Sequence, residues 1–208
     1  MGRLVSILSR SFRFLNRFST FERYMKKKQL YLLGIITLLL FPLPTFVGLW
    51  FFEGISWQSI FEFEKFTPVP VVYGLVFGIS YAFLALLIMR ARVFDTIPVT
   101  IETMVKNMRL TIVDCLFLSL CAGIGEEILF RSGVQFYLGP ILTSLLFVSI
   151  HGYLSIVKWR QSLYGLTVLP FILLLSYGFD FFGLWFAVAA HAAYDFVLFL
   201  SMTADPNE

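Results

Sequence analysis

The chain has 208 residues, of which 59% are hydrophobic and only 14% charged, and its net charge is +3. A soluble domain carries about 25% charge because it must present a solvated surface, and a mean hydropathy of +0.84 excludes that class. The apolar residues come in runs near the roughly 20 residues needed to cross a bilayer, so the expected fold is an all-α integral membrane protein. About six transmembrane helices plus interfacial amphipathic helices are expected.

Residues 1–28 read as a basic N-terminal segment. Arg3, Arg10, Arg13, Arg17, Arg23, Lys26, Lys27 and Lys28 precede the first apolar run, with Glu22 as the only acid. Such a cluster holds to anionic headgroups of the lipid bilayer and stays on the cytoplasmic side. Leu4, Ile7, Phe14, Phe18 and Phe21 interleave with the charges. That pattern suits either an amphipathic helix lying in the interface or a loose basic tail. The start also carries short patterns shared with organelle transit peptides and, in Met1-Gly2 with Ser6, with myristoylation sites. Both recur by chance, and no cleavable secretory signal is expected.

Residues 29–208 read as a single transmembrane helical domain. The first span is expected from Leu30 to Phe52, kinked by Pro42 and Pro44. An acidic, aromatic connection containing Glu53, Trp57, Glu62 and Glu64 follows and is placed on the trans side. The second span runs from Pro68 to Met89, closed by Arg90 and Arg92. Between Val93 and Arg109, Ile97, Ile101, Met104, Val105 and Met108 recur at helical spacing, which predicts an interfacial helix with Pro98 in its first turn.

The third span is expected from Leu110 to Leu138, where Gly139-Pro140 breaks it. A fourth covers Ile141 to Val157, a fifth Leu163 to Tyr177 and a sixth Phe182 to Met202. Positive charges then fall on alternate loops and place both termini in the cytoplasm. A short chain with a minimal core suits a prokaryotic cytoplasmic membrane. Cys115 and Cys121 lie about 9 Å apart along one helix, too far for a bridge, and read as packing residues. No nucleic-acid partner is expected.

Most ionisable groups avoid the spans, where each costs at least about 2.5–3.5 kcal/mol. The exceptions are Asp114, Glu126, Glu127, Arg131, His151, His191 and Asp195, and they include both histidines of the chain. Asp114 lies near the cytoplasmic interface and is assigned no chemistry. Glu127 and Arg131 stand four apart, so an ion pair on one helical face is expected, leaving Glu126 to point elsewhere. His191 and Asp195 are also four apart, so the carboxylate can orient the imidazole. Phe147, one turn before His151, can pack against its ring. Counted from the break at Gly139, Glu126 and His151 reach similar depths of roughly 18–20 Å. With His191 at a matching depth on the last helix, all three are expected to converge.

Glu126-Glu127-Ile128-Leu129-Phe130-Arg131 resembles the EExxxR motif of the CAAX-protease and bacteriocin-processing (CPBP, or Abi) family, of the type 2 CAAX prenyl protease kind. Phe147 to His151 resembles its FxxxH motif, and His191 to Asp195 its HxxxN/D motif. The three occur in the family's order, within a family-like core of about 110–202. The resemblance implies an intramembrane endopeptidase in which Glu126 activates water. His151 and His191 would handle protons or polarise the scissile carbonyl. Asp195 would orient His191 or support the oxyanion, with Glu127, Arg131 and Phe147 as supporting groups.

Many relatives carry Asn at the last motif position. An ionised Asp195 would repel an oxyanion, so orientation of His191 is the expected role. The expected partner is a membrane-anchored or membrane-embedded peptide or protein. Its identity stays open among a prenylated CAAX tail, a pheromone, a bacteriocin leader and a sorting tail, with CAAX processing the less expected. No cofactor is favoured; a zinc site would use His151 and His191 with Glu127 or Asp195. Two other classes remain: a non-catalytic membrane scaffold or chaperone of the same fold, and a proton-coupled transporter using these residues as a relay.

Overall fold

Two prolines decide how the first membrane helix is built. The computed structural model describes residues 27–91, 109–152 and 159–203. The basic segment before Lys27, the expected interfacial helix and the end of the expected fourth span lie outside the described residues. Helix α1 (Lys27–Leu40) leads into a single turn, α2 (Pro42–Thr45), with a proline at its start. The chain then continues as a π-helix over Phe46–Phe52. The prolines thus rewind the span without ending it, since the first turn of a helix leaves its amides unpaired in any case.

The connection to the second span is ordered. Ser56 caps α3 (Trp57–Phe61) by accepting the Ser59 amide, and a 3-10 turn covers Phe63–Lys65. Between them Glu62 sits at φ +47°, and its carboxylate accepts the Leu184 amide at 2.6 Å and pairs with Lys65. The connection between the first two spans is thereby pinned to the start of the last helix.

Helix α4 (Pro68–Met89) has the expected bounds. Gly74, Gly78, Ala82 and Ala85 form its buried stripe, and small residues let two backbones close in. A Cβ at Gly78 would lie 2.1 Å from the Ala190 carbonyl of the last helix.

Helix α5 (Ile112–Glu127) opens with a capping box between Thr111 and Asp114. Asp114 also pairs with Lys27 and accepts from Tyr31, both on α1. Its role is to start one helix and anchor another. A second π-helix, Ile128–Val134, then joins α5 to α6 (Gln135–Ile150). The expected break at Gly139-Pro140 is a bend inside α6, with Gly139 at φ 70° and ψ 173°. Helices α7 (Trp159–Phe182) and α8 (Leu184–Thr203) are separated by Gly183 at φ 84°.

Among the described residues four helices are long and apolar enough to cross a membrane: Lys27–Phe52, Pro68–Met89, Gly165–Phe182 and Leu184–Thr203. The other two expected spans, Leu110–Leu138 and Ile141–Val157, meet elements of 16, 7 and 16 residues over 112–150, and the end of the fourth lies outside the described residues. The exterior is apolar: Phe83, Leu87, Leu142 and Ile150 are exposed. The interior holds Phe171, Leu175 and Val148 together with polar Glu127, Arg131, Thr143, Ser144 and Ser176. Lipid solvates many of the large side chains, so small and polar residues take a large share of the interior. Cys115 and Cys121 are buried free thiols.

Candidate active site

The junction of α5 with the second π-helix presents Glu126 and Glu127 on different faces. Glu127 points inward and has no exposed side-chain surface. Its Oε2 accepts Arg131 Nε at 2.8 Å, and its Oε1 lies 2.6 Å from His191 Nδ1 on α8. A carboxylate at that distance requires a proton on Nδ1, so Glu127 fixes the tautomer of His191.

Arg131 is equally buried and is held from further along the chain. Its Nη1 donates to Ser176 Oγ of α7 and to Gln135 Oε1. Gln135 Nε2 in turn donates to the Ser176 carbonyl at 3.0 Å and to Asp180 at 2.8 Å. Ser144 Oγ lies 2.9 Å from Ser176 Oγ. Among the described residues Nη2 of Arg131 has no hydrogen-bond partner. The guanidinium carbon sits 5.8 Å from the Phe147 ring centre, where the ring face offers partial compensation.

Glu126 faces the other histidine. Its Oε2 is 3.3 Å from His151 Nε2, a charge contact without an aligned hydrogen bond. His151 Nδ1 is 2.8 Å from the Phe147 carbonyl, which can only accept, so Nδ1 carries a proton. Nε2 therefore meets Glu126 either as imidazolium against carboxylate or with the proton on Glu126. Phe147 separates the two imidazoles: it stacks on His151 at 4.2 Å and meets His191 edge-on at 6.0 Å. Phe130 closes against its far side at 4.8 Å.

Exposure divides the cluster. The side chains of Glu126, Asp195 and His151 are 14%, 25% and 29% exposed, against 0% for Glu127 and Arg131 and 7% for His191. The first three form the open side of the site, and the others form its back wall.

Two expectations are refined. His151 stands at the end of α6, and the rest of the expected fourth span lies outside the described residues. It caps α6 with φ −73° and ψ 0°, followed by Gly152 at φ 74°. Glycine just after the last helical residue is a recognised stop signal, and it was visible in the sequence. Asp195 is also the lesser partner of His191, its Oδ2 standing 3.5 Å from Nε2 while Glu127 takes Nδ1 at 2.6 Å. Gln135, Ser176 and Asp180 were not anticipated. The only available signals were the four-residue spacings of Arg131 to Gln135 and of Ser176 to Asp180.

A zinc ion would need three donors converging on one point. Among the described residues no three His, Cys, Asp or Glu side chains are grouped that way. Glu127 is already engaged by Arg131 and His191, and the two histidines face different carboxylates.

Residues 108–197 match the family model described as Rce1-like, type II CAAX prenyl endopeptidase Rce1-like. This segment is similar to the Rce1-like family. The match holds all three motifs and every residue of the cluster from Glu126 to Asp195. The matched segment thus resembles a CAAX prenyl endopeptidase family, as the motifs implied, while the first two membrane helices lie outside it. No curated protein and no solved structure matches the chain.

Proposed function

We propose that the protein is an intramembrane endopeptidase that hydrolyses a peptide bond of a membrane-anchored or membrane-embedded substrate with water activated by Glu126. The observation that carries this reading is the division of the cluster: a half-open Glu126–His151 pair stands against a sealed Glu127–Arg131–His191 wall. Glu126 Oε2 is buried towards His151 while the side chain as a whole is 14% exposed, so in this reading its other oxygen accepts the water.

In the proposed reaction Glu126 takes a proton from that water as its oxygen attacks the carbonyl carbon. The carbonyl oxygen becomes an oxyanion, and a proton donor held beside it lowers the barrier. His191, with Nδ1 locked by Glu127, directs Nε2 into the open side and suits that role when protonated. The proton gained by Glu126 passes through the Glu126–His151 pair to the departing amine as the carbon–nitrogen bond breaks. Asp195 holds the Nε2 edge of His191. Every step uses side chains of this chain.

Cleavage of a membrane-peptide library by the purified protein in lipid, with a prenylated CAAX peptide included, tests the reading. The wild type is expected to cleave, Glu126→Gln to lose cleavage, and a chelator to have no effect. Chelator inhibition reversed by zinc would move the mechanism to a metal. A wild type inactive on the whole library would favour the scaffold.

A further inference from the structure

The Glu126–Glu127 pair ends α5 at the point where the chain passes from α-helical to π-helical pairing. That transition lengthens the hydrogen-bonded ring by one residue and leaves a carbonyl without its usual amide. A buried carbonyl in this position needs another donor. The donor comes from the first membrane helix, outside the matched segment. Thr45, only 2% exposed, directs Oγ1 to the Ile128 carbonyl at 3.0 Å and to the Leu129 carbonyl at 3.5 Å. These are the two residues directly after Glu127.

The approach is built on both sides. A Cβ at Gly133 would lie 2.3 Å from Thr45 Oγ1, and a Cβ at Gly125 would lie 2.1 Å from the Thr37 carbonyl. Glycines therefore flank the glutamate pair wherever the first helix comes closest. Thr45 itself ends the proline-initiated turn α2, and the first π-helix starts at the next residue. A threonine in a helix commonly bonds its own preceding turn; this one instead serves the chain across the interface.

We propose that Thr45 is a positioning residue for the two carboxylate–histidine pairs, acting through the π-helical carbonyls of Ile128 and Leu129. Its hydroxyl fixes where the π-turn begins, and that sets the directions of Glu126, Glu127 and Arg131. The functional unit accordingly includes the first membrane helix. The catalytic consequence rests on the proteolytic reading above; the geometric one does not.

Two variants of the full chain in lipid vesicles separate the possibilities. Thr45→Val keeps the shape and removes the hydroxyl, whereas Thr45→Ser keeps the hydroxyl. With only two histidines in the chain, ring nitrogen NMR of histidine-labelled protein reads both pairs directly. Thr45→Val is expected to lower kcat about tenfold to a hundredfold, the scale of an ångström-sized misplacement, with KM unchanged and a moderate fall in melting temperature that Thr45→Ser repairs. Both ring signals should move, and Thr45→Ser should restore activity and spectrum. Wild-type kcat and unmoved ring signals in Thr45→Val would overturn the proposal. So would a fall in melting temperature that serine leaves unrepaired, which would assign Thr45 to packing. If the wild type cleaves nothing yet the signals move in Thr45→Val and return in Thr45→Ser, the proteolytic reading fails and the positioning stands.

Discussion

Glu126 and Glu127 are neighbours in the chain and each faces one of the two histidines, but their surroundings differ. Glu127 is sealed, bonded at 2.6 Å to His191 and at 2.8 Å to Arg131, with no side-chain exposure. Glu126 is partly open, and its contact with His151 is longer, at 3.3 Å. A carboxylate saturated by charged donors is held in one place and has little basicity left to use. One with fewer partners and a partly exposed side chain is the better placed to take a proton from water. In the proposed reaction identical side chains one residue apart serve as scaffold and as reagent, and burial together with partner count separates them.

Glutamine substitutions should split the pairs most sharply. Removing a general base costs about 10² to 10⁴ in rate, so Glu126→Gln is expected to lose at least a hundredfold in kcat. Its melting temperature in detergent should match the wild type, because the side chain is partly exposed and carries no aligned bond on Oε2. A Glu126→Gln protein that cleaves at the wild-type rate would leave Glu126 without its assigned role.

Arg131→Met should act on the other side of the division. Breaking a buried ion pair at one partner costs about 3–5 kcal/mol, because the remaining charge is stranded. Here the stranded group would be Glu127, so denaturation should show a large loss of stability. Adding Glu127→Gln to Arg131→Met removes the stranded charge and should recover much of that loss without restoring cleavage. Equal stability of the single and double variants would show that Glu127 is not the sealed partner described here.

The open and sealed halves were not equally legible in the sequence. Glu126, His151 and His191 stood out because ionisable groups in apolar runs are costly and rare, and because four-residue spacings name partners on one helix. The bounds of α4 were legible for a similar reason, an unbroken apolar run between Pro68 and Arg90. The Glu127–His191 bond joins residues 64 apart and follows from how α5 meets α8. No local pattern encodes it. Ser176, Gln135 and Ser144 are neutral polar residues, common in membrane helices, and nothing distinguishes such a residue at a buried bond from one facing its own backbone. The π-helix was invisible because pattern reading fits an α-helical period and has no separate signal for one extra residue per ring.

Ser176→Ala gauges how far the sealed wall extends. Its hydroxyl accepts from Arg131 Nη1 and contacts Ser144 Oγ at 2.9 Å. Loss of a buried bond to a charged group costs about 1.5–3 kcal/mol. The expected result is a moderate fall in stability, smaller than for Arg131→Met, with KM retained. No change in denaturation midpoint would place Ser176 outside the wall and confine it to Glu127, Arg131 and His191.

The smallest expected effect lies where the two halves touch. Asp195 is 25% exposed and stands 3.5 Å from His191 Nε2, whose ring Glu127 already orients from the other nitrogen. An ionised carboxylate there opposes a developing oxyanion, while asparagine can still accept from Nε2 and can also donate. If Asp195 only steadies an imidazole that Glu127 has already fixed, Asp195→Asn should change kcat by less than about tenfold, or about 1.4 kcal/mol. Asp195→Ala should then be little worse, since the Glu127 bond survives in both. A loss in Asp195→Ala as large as that in Glu126→Gln would reverse the assignment. Asp195 would then belong with Glu126 and His151 among the groups that meet the substrate, and the boundary between wall and reagent would run through His191 itself.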